Sequence, residues 1–71
     1  MTTAAISYLG QDYTYPVLTA EQLLNDWVIN LHNYEISQQG YEQCYSETQR
    51  RHFLITPAEL GQLRLRQKSH T

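Results

Sequence analysis

Lysine and arginine are absent from the first 49 residues, and the whole chain of 71 has one cysteine, one phenylalanine, one tryptophan and two prolines. Each scarcity narrows the field. A lone cysteine, Cys44, excludes an internal disulfide and a cysteine-built zinc site, and it is the count expected of a reducing compartment. No apolar stretch reaches the length that spans a bilayer, and the N-terminus lacks the basic start and apolar block of a secretory signal. The expected location is therefore the cytoplasm. Scarce phenylalanine limits the core, and a chain this short buries only about 60 to 65 per cent of the surface its unfolded form exposes. One domain, residues 1–71, is expected, with residues 68–71 as a disordered tail.

What is present is unevenly distributed. All six acids before residue 50 (Asp12, Glu21, Asp26, Glu35, Glu42 and Glu47) stand without a basic neighbour, whereas Arg50, Arg51, Arg64, Arg66 and Lys68 crowd the C-terminal third beside Glu59 alone. The net charge is −2, so the chain is an acidic body with a basic end. Six tyrosines and Trp27 make it rich in the residues that anchor interfaces while keeping a polar tip wet.

The longest periodic stretch is residues 19–37. Thr19 and Gln22 have the spacing of a capping box, and Glu21 complements the positive end of a helix. Leu23, Leu24, Trp27, Val28, Leu31 and Tyr34 then fall in one apolar sector at helical spacing. A long amphipathic helix is expected here, ending near Gly40, with its Trp27 face in the core. Ile29 and Ile36 lie off that face with His32 between them.

Before it, residues 4–18 alternate around Gly10-Gln11-Asp12, the period-two signal of a hairpin, and Pro16 makes the second strand an edge or ends it. After it, Tyr41, Cys44, Tyr45 and Thr48 trace a thin stripe on a second helix. His52-Phe53-Leu54-Ile55 is a short strand or the tail of that helix. Thr56-Pro57-Ala58-Glu59 combines cap, first-turn proline and capping-box glutamate, and predicts a helix to about Gln67. The expected fold is small α+β, a β-hairpin packed on one long helix followed by a second helix, a short strand and a C-terminal helix. The alternative is an all-helical bundle with an irregular N-terminal arm.

The residues offer little chemistry. Catalysis needs convergent polar groups in a sheltered pocket, and His32 has only Glu35 beside it on the expected helix. Cys44 sits between tyrosines on an apolar stripe, which suits a buried, inert thiol. His32, His52 and His70 have no recurrent ligand spacing. No enzyme, cofactor or metal is expected. The leading expectation is a non-enzymatic interaction module, an adaptor or regulator that docks to a protein partner or pairs as a homodimer through Ile29, His32, Ile36, Tyr41 and Tyr45. The alternative is a nucleic-acid-binding regulator using Arg50, Arg51, Arg64, Arg66 and Lys68.

Overall fold

Alternation at the N-terminus builds a hairpin of β1 (Thr3–Tyr8) and β2 (Gln11–Pro16) in the computed structural model, which describes residues 2–68. Tyr8 pairs with Gln11, so only Leu9 and Gly10 form the turn, and both have positive φ, 51° and 78°. That is the mirror-image turn whose twist matches the strands. Gly10 adopts it freely, while the branched side chain of Leu9 is strained by about 1 kcal/mol. β2 ends at Pro16, which has no amide to donate. Val17 then bridges to Leu54 in parallel, and Leu18 N–H donates to the Leu54 carbonyl at 3.0 Å, tying the hairpin to the rest.

The long helix expected over residues 19–37 does not form. Gln22 Oε1 does accept from Thr19 N–H at 2.9 Å, as a capping box would have it. Yet the signal opens a single 3-10 turn, Glu21–Leu23. Asn25-Asp26 breaks it, and the chain continues extended as β3 (Val28–Asn30). Only α1 (Tyr34–Ser37) is helical beyond that, its first amides received by Asn33 Oδ1 and its exit made through Gly40 at φ 95°. Residues 25–33 are asparagine, aspartate, aromatic, β-branched and histidine apart from Leu31, all poor helix formers. Their apolar members are better accommodated along a pleated strand.

The expected second helix is also replaced. Residues 42–46 form β4 (Glu42–Ser46), in which Cys44 and Ser46 alternate into the core, and a four-residue turn leads to β5 (Arg51–Ile55). β3, β4 and β5 make an antiparallel sheet in that order, with Ile29 opposite Tyr45, Tyr45 opposite His52, and Cys44 opposite Phe53. α2 (Pro57–Lys68) follows at once, its first turn capped by Thr56 Oγ1, which accepts from Glu59 N–H. The tail expected at residues 68–71 lies, beyond Lys68, outside the described residues.

The molecule is therefore two small antiparallel sheets with one substantial helix, not a hairpin packed on a long one. Its core has two halves separated by β5. On one face Phe53 and Ile55 meet Cys44, Leu18, Ala20, Leu23 and, from α2, Leu60 and Leu63. On the other, Leu54 meets Ile6 of the hairpin and Ile36 of α1. Phe53, Leu54 and Ile55 are all fully buried, as expected of a strand covered on both sides.

Trp27 and Tyr34, expected in the core, are 66 % and 70 % exposed instead. This predicts an order of mutational cost opposite to the helical reading. Leu54→Ala should destabilise by about 2–5 kcal/mol, whereas Trp27→Ala should cost no more than about 1 kcal/mol. Urea denaturation followed by circular dichroism measures both, and a larger loss at Trp27 would contradict this packing.

Candidate interaction surface

Alternation in the three-stranded sheet sends even and odd residues of β3 and β4 to opposite faces. Val28, Asn30, Cys44 and Ser46 face α2 with Phe53 and Ile55. Ile29 and Tyr45 face the other way with His52 and Leu54. The ladder extends past both ends of β3, because Glu47 N–H donates to the Trp27 carbonyl at 2.9 Å and Leu31 N–H to the Gln43 carbonyl at 3.0 Å. Trp27, Ile29 and Leu31 therefore share one face at period two. Along this face the hairpin and α1 cover Leu54. The remaining area, formed by Trp27, Ile29, Leu31, Tyr45 and His52, is open to solvent or half-buried.

The Tyr45 and His52 rings meet edge to face at 5.0 Å, fixing the middle of this surface. Its rim is fixed by a polar cluster on the helix side. Ser46, itself fully buried, donates its hydroxyl to Asp26 at 2.8 Å and accepts from Gln49 N–H at 2.9 Å. Gln49 Nε2 also donates to Asp26 at 2.9 Å, and its Oε1 accepts from Arg51 Nε at 2.9 Å. Asp26 thus ties the approach to β3 onto the β4–β5 turn, where Arg50 takes the left-handed conformation at φ 54°. Burial works against the charged form of Asp26, but hydrogen bonds from Ser46, Thr48 and Gln49 outweigh it and hold the carboxyl below its ordinary value. Asn30 Oδ1, on the same side, is buried without a partner among the described residues, a local cost of about 1–3 kcal/mol.

The structure places the sequence-derived interface residues differently from one another. Ile29 and Tyr45 come together as cross-strand partners on the open face. His32 lies in the loop after β3, mostly exposed, with Nδ1 3.1 Å from Glu42 Oε2. Ile36 is buried against Ile6 and Leu54, and Tyr41 is half-buried beside them, apart from Ile29 and Tyr45. The helical stripe that linked Ile29 to Ile36 does not exist, since the two sit on a strand and a separate helical turn. Trp27, Leu31 and His52 belong to the surface and were absent from the expected set. The signal that finds them is the period-two pattern of Trp27, Ile29 and Leu31, which overlaps the helical pattern of the same segment.

The basic residues do not converge on this face. Arg50 is at the β4–β5 turn, while Arg51 pairs with Ser46 and turns to the helix side. Arg64, Arg66 and Lys68 lie on α2, and the charge of Arg64 is felt by the Cys44 thiol in the core. Among the described residues no three histidines, cysteines, aspartates or glutamates group as a metal site. No helix of the described residues is long and apolar enough to cross a membrane.

Cys44 is fully buried, and burial together with the nearby charge of Glu42 pushes its thiol up to about 11, Arg64 opposing. At pH 8 the thiolate is then about a hundredfold rarer than at the ordinary value, before any steric protection. Alkylation of native protein by iodoacetamide should be slower than that of the unfolded chain by at least about this factor, and equal rates would contradict the burial.

Asp26 gives a second expectation. A carboxyl whose folded pKa lies below its unfolded value adds stability above the unfolded pKa and loses it as pH falls through the folded one. Asp26→Asn should therefore be less stable than wild type at neutral pH, and the gap should shrink as pH falls below about 4. Urea midpoints across that range test this, and a gap that stays constant would assign Asp26 no role through its charge.

Comparison with protein-family models, with curated proteins and with solved structures gave no match.

Proposed function

We propose that the chain is a non-enzymatic protein-interaction module, an adaptor or regulator, whose docking surface is the open face of β3 and β4. The observation that carries this reading is Trp27. A domain with one phenylalanine and a small core gains most by burying its only tryptophan, yet here the indole stands on the sheet surface. Beside it lie Ile29, Leu31 and the Tyr45–His52 pair, a set with the large amphipathic side chains that dominate binding energy at protein interfaces. The backbone beneath is a hydrogen-bonded ladder, so the aromatic groups are presented in fixed positions and lose little freedom on binding. The neutral, buried Cys44 and the exposed His32 support a role without covalent or acid-base chemistry.

The scattered arginines favour a protein partner over nucleic acid. Phosphate recognition along an aromatic sheet draws on a groove of positive charge next to the stacking groups, and here the helix carrying Arg64 and Arg66 lies across the opposite face.

Trp27 is also the natural reporter. A protein captured on the immobilised chain, purified and titrated against it, should shift the Trp27 emission to the blue. Tyr45→Ala should weaken that binding by at least about tenfold, while Leu9→Asn at the distant hairpin turn should leave it unchanged. Two results would overturn the reading: unaltered binding by Tyr45→Ala with the fold retained, or saturable quenching by a single-stranded oligonucleotide with a salt slope that Arg64→Ala reduces.

A further inference from the structure

The two outer strands end the molecule in different ways. In β1 the outward backbone groups of Ser7 are already occupied by the Gln39 side chain, whose Oε1 accepts from Ser7 N–H at 2.9 Å and whose Nε2 donates to the Ser7 carbonyl at 2.8 Å. A side-chain amide stands there in place of a further strand. Among the described residues β3 has no such cover, and no strand pairs with its far side. Residues 27–31 contain no lysine, no proline and no bulge, the devices that usually blunt an exposed edge. Because Trp27 and Leu31 bond inward to β4, the alternation of an antiparallel ladder turns the N–H and C=O groups of Val28 and Asn30 outward.

We propose that β3 pairs with β3 of a second copy, antiparallel and centred on Ile29. The proposal rests on the docking reading above and names the partner as the chain itself. In that register Val28 lies opposite Asn30 of the second copy, so all four outward groups on each side find partners, making two reciprocal pairs about a two-fold axis. Shifting the centre to Val28 or to Asn30 leaves half of them unmatched within β3. The same register sets Trp27 against Leu31 of the second copy, joining two apolar side chains that are 66 % and 41 % exposed in the single chain. One step further out, Asp26 comes opposite His32 of the second copy. The register thus sets an acidic residue against a histidine at each end of the ladder, with Asp26 also held by Ser46 and Gln49 and His32 by Glu42 of their own chain. Within residues 26–32 no two like charges come directly opposite one another in this register. The product is one six-stranded sheet with the two open faces continuous.

Ile29 meets its own copy at a non-hydrogen-bonded position, where Cα atoms of facing strands approach to about 4.5 Å. This makes the register testable by charge. Sedimentation equilibrium of the wild-type chain should show a reversible dimer. Ile29→Lys and Ile29→Asp, each placing like charges on the axis, should each dissociate at least about tenfold more readily. Mixed in equal amounts, the two variants should recover a dimer that native mass spectrometry identifies as the heterodimer. If either charge disturbs the fold, Ile29→Cys provides an independent reading, since Cys44 is buried. Mild oxidation should link Ile29→Cys chains to one another much faster than Tyr13→Cys chains, whose thiol lies on the hairpin. A wild-type chain that stays monomeric at millimolar concentration overturns the pairing but leaves the Trp27 titration to decide the docking surface. A dimer indifferent to both charges, or Ile29→Cys and Tyr13→Cys linking at equal rates, places the contact elsewhere and overturns it too.

Discussion

Burial of β5 on both faces is the constraint that organises this small protein. Phe53 and Ile55 require a cover on one side and Leu54 on the other, and all three are fully buried. A chain of this length has few elements with which to meet that demand. α2 and the 3-10 turn are spent on the Phe53 side, the hairpin and α1 on Leu54. Nothing in residues 2–68 is left to cover the β3 end of the sheet, which is why its aromatic face is open. The exposed surface is thus a consequence of how the core is closed.

Polar side chains decide where the extended segments stop. Asn33 starts α1, Gln39 closes the outer edge of β1, and Asp26 anchors the approach to β3 through Ser46 and Gln49. Asn33 and Gln39 satisfy groups that the backbone leaves open, and Asp26 receives the side-chain donors of Ser46 and Gln49. The Asp26 cluster matters most for the surface, since it fixes the chain just before Trp27, whose carbonyl begins the ladder with β4. The His32–Glu42 contact performs the same service at the other end of β3.

Local signals with one reading were legible in the sequence. The alternation through Ile6, Tyr13 and Tyr15 and the stop at Pro16 mark the hairpin, and Thr56-Pro57-Ala58-Glu59 marks the start of α2. Residues 19–37 fail because two periods coexist in them. Leu24, Trp27, Val28, Leu31 and Tyr34 match a helix, while Trp27, Ile29 and Leu31 match a strand, and the choice is made by pairing with β4, a contact remote in sequence. The intrinsic reluctance of Asn25, Asp26, Val28, Ile29, Asn30 and Asn33 to be helical was the available counter-signal. Residues 42–46 turned on the same ambiguity, where Cys44 and Ser46 are inward neighbours on a strand and lie on different sides of a helix. The interface residues followed the error in part. Ile29 reads as an off-face residue of the long helix and Tyr45 as a surplus tyrosine of the next segment, and the two lie together as strand partners, whereas Trp27 and Leu31 read as core and are exposed.

Native-state hydrogen exchange of the dilute chain separates the two arrangements residue by residue. With β5 at the centre, the amides of Phe53, Leu54 and Ile55 should open only with global unfolding, and the β3 segment should alternate, Ile29 and Leu31 protected and Val28 and Asn30 fast. Uniform protection across residues 23–36, as a continuous helix would give, or rapid exchange at residues 53–55, would contradict a fold built around this strand.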